Sequence, residues 1–186
     1  MIKTYTAQEL EARMIFLGMS IPDFHLVGIR SQESIPDKFD DHFYVIEKHN
    51  VLNHPYWCTT NPGKDYLLAP LNPKGTALLV ADKQYFNCFQ FGLHKGKEAL
   101  IQYADLLVYR DNDKDIYAEE LGEPMVAKPE CRIDIHRANE KWTSVIIGRW
   151  SAGCQVIANP ENYQQLLKFC KSTGKGLFTY TLLAEF

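Results

Sequence analysis

Apolar positions in the first twenty residues recur at helical spacing. Leu10, Met14 and Leu17 fall on one face, Thr6-Ala-Gln-Glu9 has the form of a capping box, and Gly18 follows, so the pattern predicts a short amphipathic helix over 7–17. From Phe24 to about Asp111 the period shortens. Apolar and aromatic runs (FHLVGIR, HFYVIEKHNV, YWCTT, TALLVA, YFNCFQFGL, ALIQYADLLVYR) are separated by the turn segments NPGKD and LNPKG, which predicts a series of strands. A charged loop, RDNDKDIYAEELGEPMVAKPE, leads to two further expected strands, CRIDIHRA and TSVIIG, and then to the connection WSAGC. Asn159-Pro160-Glu161 supplies an N-cap, a first-turn proline and an acidic group, with Gly174 as the stop, so a second helix is expected over 160–172. LFTYTLLAEF closes the chain as a strand. Helices do not alternate with strands, so the fold class is α+β, predominantly β, with a helix near each end.

Length and composition narrow this picture. The chain has 186 residues, 46% of them apolar, enough for one compact core, so a single domain over 1–186 is expected. Lys plus Arg number 20 against 23 Asp plus Glu, without a long run of one sign, so no nucleic-acid partner is expected. Glu9, Glu11 and Arg13 interrupt what would be the apolar stretch of an export signal, and no apolar run approaches the roughly 20 residues that span a bilayer. No membrane insertion is expected, and the chain as synthesised reads as cytoplasmic. Five cysteines without a C-x-x-C pair fit neither a zinc ribbon nor a complete disulfide framework, and suit a reducing compartment.

The cysteines differ in their surroundings. Cys170 shares a helical face with Tyr163, Leu166 and Leu167, and Cys58 and Cys88 sit in strand-like runs, so packing accounts for all three. Nothing promotes Cys131. Cys154 follows Ser151-Ala152-Gly153, whose small side chains and permissive glycine would let a substrate approach the sulfur. Strand alternation puts Asp134 and His136 on one face of CRIDIHRA, within reach of a hydrogen bond. If TSVIIG returned antiparallel beside IDIH, Cys154 would come back to His136. His94, in FGLHKGKEAL, is placed on an exposed loop that could reach a ligand. His25, His42, His49 and His54 show no metal-ligand spacing, and Asp111-Asn112-Asp113-Lys114-Asp115 reads as a hydrated turn because Ile116 and Gly122 stand where a calcium loop needs glycine and glutamate. Neither a metal nor a cofactor is expected.

His136 followed 18 positions later by the cysteine of Ser151-Ala152-Gly153-Cys154 resembles the catalytic signature of the L,D-transpeptidase family of cell-wall enzymes. The resemblance covers about residues 130–160, with 1–23 as a peripheral N-terminal segment. It implies a sheet or sandwich fold, Cys154 as nucleophile, His136 as base, Gly153 as the turn glycine and Ser151 as the residue opening the turn. Three positions depart from the family pattern: Ala152 replaces a histidine, Arg137 a glycine, and Val156 an Arg or Asn. Ser151, Trp150, Arg149, Gln155, Arg137 and His94 are the expected substrate-side residues, with Asp134 or a backbone carbonyl orienting His136 and the N–H groups of Gly153 and Cys154 meeting the oxyanion. The implied substrate is a peptidoglycan stem peptide, which a protein lacking an export signal would meet by another delivery route, as a phage or prophage enzyme does. An unrelated cysteine peptidase or amidase uses the same two residues. A binding module lined by the aromatics of HFYV, HPYW and QYFNCFQF, with Cys154 packed, uses neither.

Overall fold

The structure, a computed structural model, describes residues 2–33 and 35–186. Helix α1 (Ala7–Phe16) starts on the expected capping box, the Thr6 hydroxyl accepting from Glu9 N–H and the Glu9 carboxylate from Thr6 N–H. Its Leu10 and Met14 are fully buried against Val27 and Ile29 of β1 (Phe24–Arg30) and Tyr44 and Ile46 of β2 (Asp41–Glu47). Each such side chain contributes about 1.5–3 kcal/mol on burial, so α1 is fastened to the outside of the sheet rather than to its core.

The strands do not stack as a sandwich. Around one ring run β1, β12 (Leu177–Ala184), β6 (Lys83–His94), β7 (Lys97–Gln102), β10 (Ile135–Arg137), β11 (Gln155–Ile157), β4 (Tyr56–Thr59) and β2, and β2 pairs again with β1. This is an eight-stranded barrel. Strand period two separates its faces: Leu26, Phe43, Val45, Phe89, Tyr180 and Leu182 enter one large core, whereas Val27, Ile29, Tyr44, Ile46 and Leu183 pack with α1. The short β3 (Asn50–Val51) pairs with β2, and a separate three-stranded sheet holds β5 (Thr76–Leu79), β8 (Leu106–Asp111) and β9 (Met125–Ala127). Helix α3 (Pro160–Ser172) forms as the capping signals predict, Asn159 Oδ1 accepting from the N–H groups of Glu161 and Asn162. It delivers Tyr163, Leu166, Leu167 and Cys170 to the main core. A five-residue helix, α2 (Lys64–Leu68), begins inside NPGKD, where sequence suggests only a turn.

The expected TSVIIG strand is absent. Val145 and Ile146 are 75% and 57% exposed, and β10 and β11 run parallel, with His136 opposite Val156. Parallel neighbours cannot be joined by a tight hairpin; residues 138–154 are used up in the crossover between them. Asp37 pins that crossover. Its Oδ1 accepts from Gly148 N–H (2.7 Å) and Lys64 N–H (3.1 Å), and its carbonyl accepts from Ile147 N–H (2.9 Å).

Candidate functional site

The parallel register sets the cysteine in place. Ile135 lies opposite Gln155, and Gln155 N–H donates to the Asp134 carbonyl (2.9 Å), so Cys154 stands beside Asp134. Asp134 N–H donates to Cys154 Sγ, and the thiol points to the Arg132 carbonyl, both at 3.4 Å. The turn before it is tied by three hydrogen bonds. Ser151 Oγ donates to the Cys154 carbonyl (2.8 Å) and accepts from Gly153 N–H (3.2 Å). From the core, Gln155 Nε2 donates to the Gly153 carbonyl (3.3 Å) while its Oε1 accepts from the Tyr180 hydroxyl (2.9 Å). Gly28 makes room for that hydroxyl, since a β-carbon there would overlap it.

These contacts correct two expectations. Ser151 and Gln155 are fully buried and bonded within the protein, so they shape the turn and do not face a substrate. Gly153 N–H is committed to Ser151, which removes it as an oxyanion donor. Gly153 itself has a φ of 123°, closed to other residues, and a β-carbon would press on Ala77 of β5. Gly153→Ala is therefore expected to cost about 1–3 kcal/mol of stability and to shift the sulfur; urea denaturation of the variant beside the wild type checks the first effect.

Two histidines meet over the thiol. His136 Nδ1 lies 2.7 Å from the Arg137 carbonyl, which only accepts, so the proton sits on Nδ1 and Nε2 presents a buried lone pair with no hydrogen-bond partner. His94 ends β6, where Lys95 and Gly96, both at positive φ, turn the chain into β7. Its ring stacks on His136 with centroids 4.1 Å apart and planes 12° apart. One donor atom each from His94, His136 and Cys154 lie within 4.8 Å of one another. Asp134 does not orient His136, contrary to what its strand position suggests. Its Oδ2 takes His94 Nδ1–H (2.8 Å) and Arg132 Nη2–H (2.9 Å), and its Oδ1 takes Gln102 N–H (2.9 Å).

Burial sets the protonation of these groups. Loss of water pushes the Cys154 thiol up to about 12, against the Asp134 N–H bond, which works to lower it. Burial, then the neighbouring His94 ring, lowers His136 to about 4. The resting pair is a neutral thiol beside a neutral imidazole. Burial also pushes the Asp134 carboxyl up, but the hydrogen bonds from His94, Arg132 and Gln102 outweigh it and hold Asp134 below the usual carboxylate range.

Two clefts of about 340 and 350 Å³ meet at this point. Cys154 lines the first, His136 the second, and His94, Lys95 and Trp150 line both. The first carries the cations Lys95, Arg110, Arg132 and Arg149 and no carboxylate; the second adds Arg137 and the exposed Trp142. Arg149, Trp150, Arg137 and His94 line these clefts.

No protein-family model, curated protein or solved structure matches the chain.

Sequence reasoning missed Arg132, Gln102, Tyr180 and Trp142, which reach the site from separate elements. Cys131, the only exposed thiol among the described cysteines, lines the first cleft. The near-parallel planes of His94 and His136 do not meet near the site, whereas a metal bound to both would lie in both planes. Asp113, Asp115 and Glu119 also bring carboxylates together, all exposed, in the segment expected to be a hydrated turn. Among the described residues no helix is long and apolar enough to cross a membrane.

Proposed function

We propose that the protein is a cysteine acyl-transfer enzyme acting on a carboxylate-bearing peptide, as the resemblance to L,D-transpeptidases implies, with a peptidoglycan stem peptide as substrate. The observation that carries this reading is the meeting of Cys154 Sγ with His136, whose Nδ1–H is held by the Arg137 carbonyl so that Nε2 is a proton acceptor. Because thiol and imidazole rest neutral, His136 acts as a general base: it takes the thiol proton as the sulfur attacks the carbonyl, not before. The developing oxyanion is assigned to Cys154 N–H; one such donor is typically worth about 3–4 kcal/mol. The cations of the first cleft suit the carboxylates of a stem peptide, and the acyl-enzyme formed there is resolved by an amine in transpeptidation or by water in hydrolysis. Reaching the cell wall requires delivery across the membrane.

Incubation with purified stem tetrapeptides and disaccharide-peptides, followed by mass analysis, tests the reading. A shortened or cross-linked product is expected, together with an acyl adduct on the Cys154 peptide. An unchanged pool with no adduct would overturn the cell-wall assignment; an adduct formed only from unrelated amides would point to a general cysteine amidase.

A further inference from the structure

Resting on the acyl-transfer reading, we infer that His94, and not His136, is the general acid that protonates the departing nitrogen, with Asp134 and Arg132 as its positioning residues. The two rings are held differently. His136 Nδ1–H is tied to a neutral carbonyl and its Nε2 is buried. His94 Nδ1–H is tied to a carboxylate, Asp134 Oδ2 at 2.8 Å, and its side chain, 17% exposed, lines both clefts. The Asp134 contact fixes the His94 ring with Nδ1–H on the carboxylate and leaves Nε2 as its other proton-carrying atom. Asp134 is itself fully buried and fixed by Arg132 and Gln102 N–H, so the acceptor of His94 Nδ1–H is held in one position.

The proton balance closes over the two half-reactions. In acylation the thiol proton passes to His136 Nε2 as the C–S bond forms, and His94 Nε2–H gives its proton to the nitrogen as the C–N bond breaks. The charge has moved from His94 to His136. In deacylation the incoming amine or water loses a proton to His94 Nε2 as it attacks, and the departing sulfur recovers its proton from His136. Both rings return to their starting states. The sequence of transfers never requires two imidazoliums with centroids 4.1 Å apart.

Leaving-group dependence tests this. Two donors with the same acyl group are compared: the stem tetrapeptide, whose amine must be protonated to leave, and a thioester of its tripeptidyl group, whose thiolate leaves unaided. His94→Gln is expected to slow the tetrapeptide by about 10²- to 10⁴-fold while leaving the thioester within about threefold, and Asp134→Asn should repeat the pattern more weakly. Equal losses on both donors, or no loss on the tetrapeptide, would overturn the assignment. Should His94→Gln melt early, a series of amide leaving groups on the wild-type protein decides: rates nearly independent of amine basicity are expected, and a steep dependence would refute an acid at this position. Activity persisting in Cys154→Ala would instead bring down the acyl-transfer reading itself.

Discussion

Cys154→Ala is expected to lower turnover of the stem peptide by at least about 10⁴-fold, the scale on which loss of a nucleophile is felt, with the fold intact. The thiol occupies a small space beside Ala138 and Val156, and alanine keeps the β-carbon that packs there. Its two hydrogen bonds run through sulfur, a weak donor and a weak acceptor, so the stability cost should be about 1 kcal/mol. A melting curve close to that of the wild type, with no product by mass analysis, is the expected result. The neutral resting thiol also makes a kinetic prediction. With Cys154 pushed up to about 12, alkylation by iodoacetamide should rise about tenfold per pH unit from neutral pH upward, without levelling off. The measurement belongs in a Cys131→Ser background, because Cys131 is exposed and reacts first. A plateau near neutrality would indicate a preformed thiolate–imidazolium pair and would contradict the general-base step.

Acid should weaken the wild-type protein relative to His136→Gln. His136 is lowered by burial from 6.5 to about 4, so between these values the unfolded chain binds a proton that the folded one refuses. Stability from this group is fully present above pH 6.5 and is lost as pH falls toward 4. The difference corresponds to roughly 3 kcal/mol. Other groups act in the same range: His25 and His42 are also lowered by burial, and Asp40, raised by burial to about 6, gains stability as pH falls. These are common to both proteins and cancel in the comparison. Urea unfolding at pH 7 and pH 4.5 should therefore show a larger loss for the wild type, and equal losses would mean that the ring is not held neutral.

What can be read from the chain is local. The Thr6–Glu9 box, the Asn159-Pro160 start and most of the strand runs each depend on neighbours within a few residues, and they appear where expected. Cys154 and His136 are also legible, although by a path that the structure replaces. The sequence suggests an antiparallel return through TSVIIG, yet a parallel pairing with a pinned crossover brings them together, because Asp37, far away in sequence, fixes the loop. The same limit explains Asp134. Alternation puts it beside His136, but its carboxylate is claimed by His94, Arg132 and Gln102, and only the β6–β7 hairpin folding over β10 creates that competition. The polarity of Gln155 suggests exposure; a partner in the core, Tyr180, makes its full burial tolerable. Closure of the sheet leaves no trace in local periodicity, since an inward and outward alternation fits a barrel and a sandwich equally.

Closure has a chemical consequence for recognition. Each strand of the ring pairs with a neighbour on either side, β7 and β10 at a single register pair, so the ring offers an extended peptide no free edge strand to extend. Under the proposed function, recognition at the clefts falls to side chains such as Arg149, Trp150 and Trp142, borne on the crossover between β10 and β11. Under that reading, substitutions at these three exposed positions are expected to shift substrate preference while the strands of the barrel stay as they are.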